Sequence, residues 1–116
     1  MTTAYVHFIV QNTSGLPVGG VVRYALNKVK GNQETQIKAG TADRATGKII
    51  LEKLEWNTPY KLYLRTVPKE YERPNDSVAE FYFDSEGIHF IKGSTAVVLK
   101  KNNEQNNNGQ DAPLEE

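Results

Sequence analysis

Cysteine is absent from all 116 positions, which removes disulfides, thiolate nucleophiles and cysteine-based zinc or iron sites together. The redox compartment stays open, because many secreted bacterial proteins also lack cysteine. An excess of one charge is missing too: fourteen Lys and Arg balance fourteen Asp and Glu, so no global field attracts nucleic acid or an anionic membrane. No apolar run approaches the roughly 18 residues that span a bilayer, and Met1-Thr2-Thr3 lacks the basic start of a signal peptide. That pattern leaves a cytosolic protein or an excised piece of something larger. No window of about a dozen residues shows apolar spacing at ~3.6, so no helix is required. Without crossover helices, a parallel α/β architecture is excluded.

What remains suffices for one core. With 38% apolar residues, a chain of this length forms a single domain that buries roughly two thirds of its unfolded surface. Ala4 to Gln11 is rich in β-branched and aromatic residues and reads as a strand, with Val6, Phe8 and Val10 on one face and Tyr5, His7 and Ile9 on the other. Asn12 to Pro17 turns the chain, and Gly19-Gly20 opens a second strand, Val21 to Leu26. Lys28 to Glu34 is polar and reads as an exposed connection; Thr35 to Thr41 is a weaker strand. Asp43 to Lys48 is a hairpin turn into Ile49 to Leu54, and Trp56 to Pro59 is another turn. Tyr60 to Val67 alternates Tyr60, Leu62 and Leu64 against Lys61, Tyr63 and Arg65. After a longer loop from Pro68 to Asp76 come strands at Ser77 to Phe83, His89 to Lys92 and Thr95 to Lys101. About seven or eight short strands with regular turn signals describe an all-β antiparallel sandwich spanning residues 1–101.

From Asn102 onward the sequence is low in complexity and too polar to bury anything, so residues 102–116 read as a disordered linker or tail. The tail takes four acidic residues and no basic one, which leaves the body four charges positive. Deleting residues 103–116 should leave the unfolding midpoint unchanged; a loss of several degrees would show that they pack on the sandwich.

Few residues suggest chemistry. His7 and His89 lie on strands with no adjacent His, so a metal site would need distant carboxylates to converge on them; they read as surface or rim histidines. Asp43, Asp76, Asp84 and Glu86 lie in turns; gathered at one end of a sandwich they would offer calcium ligands, but their spacing matches no contiguous loop and they read as turn formers. There is no nucleophile-elbow sequence. The set Lys61, Tyr63 and Arg65 reads as an alternating strand face, not a nucleic-acid surface. Trp56, the single tryptophan, is expected to cap an open end of the core; its other reading is a ligand contact that stacks on carbohydrate or anchors a partner. No enzyme, metal or cofactor is called for.

Three segments taken together resemble a family. Val10 to Val21 is similar to the opening of the Cna B-type, or prealbumin-like, surface domains of Gram-positive bacteria: a Lys-bearing strand, an Asp or Asn turn, then a Gly-x-Pro-Leu-x-Gly-Ala element. Gly40 to Leu51 looks like their Thr-Asp-x-x-Gly hairpin. Leu54 to Tyr71 resembles their Leu-x-x-Gly-x-Tyr-x-Leu-x-Glu-x-x-Ala-Pro-x-Gly-Tyr stretch, with Tyr60, Leu62, Pro68 and Tyr71 in step. The resemblance covers residues 5 to 101.

It implies a mechanical role, since such domains are stacked as stalks or pilin modules on the cell wall. Many carry an autocatalytic Lys to Asn bond assisted by a buried Glu or Asp. Here the position matching the Lys is Val10, or Ile9 if the turn is counted one residue longer; the position matching the Glu is Leu64, and Asn102 matches the acceptor. With neither amine nor carboxyl, no bond is expected, and hydrophobic burial holds the core instead. The resemblance thus implies a non-enzymatic structural or adhesive module of a bacterial cell-surface protein, with neighbouring domains of the same chain as partners. The alternatives are a secreted ligand-binding module in which Trp56 contacts carbohydrate or a host protein, and an accessory domain of an extracellular enzyme. Neither a sorting signal of the LPXTG kind nor a membrane anchor is present, and no pilin-type Lys motif is recognisable.

Overall fold

The computed structural model describes residues 3–102. Of the residues read as a tail, 102–116, all but Asn102 lie outside these. Eight strands follow in order: β1 Thr3–Asn12, β2 Arg23–Lys30, β3 Gln33–Thr41, β4 Lys48–Glu55, β5 Tyr60–Thr66, β6 Ala79–Asp84, β7 Gly87–Lys92 and β8 Ala96–Leu99. They form two sheets, a three-stranded one in the order β4-β1-β8 and a five-stranded one in the order β3-β2-β5-β6-β7. The fold is the expected all-β sandwich.

The inward faces follow from period-two alternation. Val6, Phe8 and Val10 of β1 are buried while Tyr5 and Ile9 are 67% and 40% exposed. Tyr60, Leu62 and Leu64 of β5 are buried, as are Ala79, Phe81 and Phe83 of β6. Phe81 is the hub of an aromatic cluster, with ring centroids 5.4 Å from Phe8, 5.9 Å from Tyr60 and 6.0 Å from Phe83. The Tyr60 hydroxyl accepts the Glu55 N–H at 2.8 Å, which satisfies a polar tip carried into the core.

Four features depart from the simple reading. First, Lys28 to Glu34 is not a connection: β2 runs to Lys30, β3 begins at Gln33, and Gly31-Asn32 turns between them with Gly31 at φ 62°. Strand there needs no apolar residues, because β3 is a sheet edge whose side chains stay outside the core. Second, β1 and β8 pair in parallel, Ile9 opposite Ala96 through Asn12 opposite Leu99, within an otherwise antiparallel fold.

The third departure is a bulge in β4. Ala4 pairs with Leu54 but Val6 with Leu51, so Glu52 and Lys53 together oppose Tyr5, and Lys53 takes φ 59°. Strict alternation from Ile49 and Leu51 would turn Lys53 inward; the extra residue turns Leu54 inward instead, at 3% exposure. Fourth, β7 starts at Gly87, two residues before the expected strand at His89.

Candidate functional site

Val10 and Leu64, which the resemblance matched to a cross-linking Lys and its Glu, come from opposite sheets. Val10 on β1 and Leu64 on β5 are both buried and belong to one hydrophobic cluster. Val10 is tied on both backbone groups: its N–H donates to Gly47 O at 2.8 Å and its C=O accepts the Val18 N–H at 3.1 Å. Asn102 is exposed; its amide Nδ2 donates to Lys69 O at 2.8 Å and its backbone N–H to Glu70 O at 2.9 Å. Together with the Glu72 N–H bond to Lys100 O at 2.9 Å, these tie the stretch after β8 to the Lys69–Glu72 loop, where Tyr71 is buried over one end of the core.

Without an amine at position 10 or a carboxyl at position 64, no acyl transfer to a side-chain amine can start from these two positions. The intact mass should equal the sequence mass. A deficit of one ammonia or one water, with a cross-linked peptide after digestion, would overturn that expectation.

The turn carrying Trp56 lies at the opposite end of β5. Trp56 is half-buried and packs against the core. Asn57 adopts φ 57°, and its N–H donates to Phe83 O at 2.7 Å, stitching this turn to the end of β6. In the same region, Lys28, Val29, Lys30, Glu55, Asn57, Thr58 and Pro59 line a cleft of about 360 Å³ with polar and apolar walls. Lys28 Nζ and a Glu55 carboxylate oxygen, 3.0 Å apart, bridge the two sheets across its mouth.

The turn carboxylates do not collect at one end. Asp43 caps its own turn, accepting the Ala45 and Thr46 N–H groups at 2.9 Å each, and these backbone donors hold its carboxyl below the usual range. Asp76 pairs with Lys92 at 3.2 Å. Asp84 and Glu86 instead meet His89, which shares their hairpin: one donor atom from each lies within 4.8 Å of the others. His89 Nε2 sits 2.8 Å from Asp84 Oδ1, and the ring stacks on Tyr82 with centroids 4.8 Å apart. The Glu86 N–H, and after it His89, lower the Asp84 pKa. Three potential metal donors thus converge, but two of them already bond each other, so an ion would have to displace that contact. Sequence reasoning treated His89 as isolated because its carboxylates were sought far along the chain, when a tight hairpin folds them back from five and three residues away.

Sequence reasoning also missed a polar network on the outer face of the larger sheet. Glu34, on edge strand β3, accepts the Tyr63 hydroxyl at 2.7 Å, Asn27 Nδ2 at 3.1 Å and Lys61 Nζ at 3.2 Å. It thereby clasps β3 to β2 and β5. Arg65 adds a guanidinium 4.5 Å from the Tyr63 ring centre. Hydrogen bonds from Tyr63 and then Asn27 are the main causes that lower the Glu34 pKa from 4.5. A depressed folded-state value means that this contribution is complete well above pH 4.5 and disappears as pH falls through the folded value. In urea, wild type should exceed Glu34→Gln at pH 7, and the gap should narrow progressively as pH falls below 4.5; an unchanged gap across that fall would remove the carboxylate from the account.

No family model matches this chain, and no curated protein does. Among solved structures, the chain is similar to the crystal structure of BcpA, the major pilin subunit of Bacillus cereus, with a TM-score of 0.60 and 20% identity over 86% of this chain. It spans 29% of the length of that pilin. At this identity the likeness establishes the fold: the sandwich has the architecture of a module found within a Gram-positive pilin.

Proposed function

We propose that the chain is a non-enzymatic structural module of a bacterial cell-surface protein, a Cna B-type domain whose core is held by burial in place of a covalent staple. One observation carries the reading: the likeness to part of a pilin subunit extends over 86% of this chain. The apolar pair at Val10 and Leu64 agrees with it, because a domain without the cross-link needs filled space at both positions. Its partners would be neighbouring domains of the same surface protein, and its location the outside of the cell. An antibody raised against the domain should label intact cells of the source bacterium, and cell-wall digestion should release the antigen. Antigen confined to the cytosolic fraction would overturn the proposal.

A further inference from the structure

One side of β1 is paired for most of its length and the other is half open. Strand β4 accompanies Thr3 to Ile9, whereas β8 pairs only with Ile9 to Asn12. Among the described residues, no strand pairs with Thr3 to Phe8 on the β8 side.

Two hydrogen bonds give the direction of the backbone groups. The Val10 N–H points to the β4 side, to Gly47 O, while the Ile9 N–H points to the β8 side, to Thr95 O at 2.9 Å. Alternation carries this back along the strand, so the N–H and C=O groups of Tyr5 and His7 face the vacant lane and those of Val6 and Phe8 face β4. The nearby bulge leaves this alternation intact, because its extra residue belongs to β4.

An open edge is a template for another strand, and proteins blunt such edges with charges, prolines, bulges or short length. The other edges of this sandwich are treated in that way. β4 carries its bulge and receives Lys38 Nζ on Ile50 O at 3.3 Å. β3 is interrupted at Ile37 and β7 at Ile91, and β8 has four residues. The open part of β1, Thr3-Ala4-Tyr5-Val6-His7-Phe8, contains no Lys, Arg, Asp, Glu, Pro or Gly.

We propose that this stretch of β1 is a strand-addition edge whose occupant is β1 of a second copy, antiparallel about a two-fold axis. The strand is complementary to itself. With no acidic side chain, Lys or Arg in this stretch, self-pairing sets no such charges of like sign opposite each other. Placing Tyr5 opposite the second copy's His7 lets each outward N–H meet an outward C=O, and the contact closes on itself.

The test is sedimentation of the full chain from micromolar to millimolar concentration, read with amide hydrogen exchange. A monomer–dimer equilibrium is expected, with Tyr5 and His7 amides gaining protection as concentration rises while Val6 and Phe8 are protected throughout. His7→Pro deletes only an outward donor, so it should weaken the dimer about tenfold or more with the unfolding midpoint of the monomer retained. His7→Lys places like charges near the axis and should do the same, and it decides the matter if the proline variant fails to fold. A monomer at every concentration, which would leave the edge to a different strand, overturns the proposal. So does a dimer in which Tyr5 and His7 exchange freely.

Discussion

Leu64→Ala is expected to lower stability by about 2 to 5 kcal/mol, the range for emptying a packed leucine site. Leu64 is 1% exposed on the central strand of the larger sheet, flanked by Tyr24 of β2 in register and by the inward-facing Leu62. The ladder to β2 on one side limits how far the cavity can collapse. Leu64→Glu should cost more, because a carboxyl there finds no cation at position 10 and is either buried protonated or opens the core. Denaturant midpoints of the two variants decide the matter. If both changes were neutral, the facing of β5 would be wrong, and with it the alignment that sets Leu64 at the family's carboxyl position. In the pair Val10→Lys with Leu64→Glu, an ammonia or water deficit in the intact mass would show that these positions can be brought into cross-linking geometry. Its absence would say little, since such chemistry tolerates small misplacement poorly.

Gly47→Ala should rank next, at roughly 2 kcal/mol or more, from two separable causes. Gly47 sits at φ 74°, where a side chain costs about 1 to 2 kcal/mol. In addition, a Cβ at this position would lie 2.3 Å from Val10 O, an atom held in place by the Val18 N–H. That oxygen belongs to the backbone of the central strand of the smaller sheet, so relief requires the sheet itself to move. Gly31→Ala isolates the first cause: φ there is 62°, and a Cβ would meet nothing within 4 Å. It should cost only that conformational share, about 1 to 2 kcal/mol. Equal losses at both glycines in urea titrations would dismiss the clash with Val10.

Much of the sandwich was legible because alternation is a local property. The facing of Val6, Phe8 and Val10 against Tyr5 and Ile9, and of Tyr60, Leu62 and Leu64 against Lys61, Tyr63 and Arg65, needs only the pleat and the apolar pattern. The turns at Asn12 to Pro17 and Asp43 to Lys48 declared themselves through Gly, Pro and Asx residues whose backbone preferences act within four residues. The buried environments of Val10 and Leu64 could likewise be read from their strands.

What depended on distance in the chain was decided by the tertiary structure. The polar stretch around Glu34, read as a connection, joins β3 because β2 offers it a ladder and Glu34 reaches across to Tyr63 and Lys61, partners 29 and 27 residues away. The bulge at Glu52-Lys53 exists because Leu54 must enter a core whose position β1 sets. The parallel pairing of β8 with β1 is invisible in Ala-Val-Val-Leu, since either direction suits an apolar strand; only the crossing from β7 in one sheet to β1 in the other selects it. That same pairing stops at Ile9 and leaves Tyr5 and His7 unpaired on one side. A residue's own sequence neighbourhood sets which way its side chain faces, but which strand lies beside it, and for how many residues, is set by how the whole chain closes around its core.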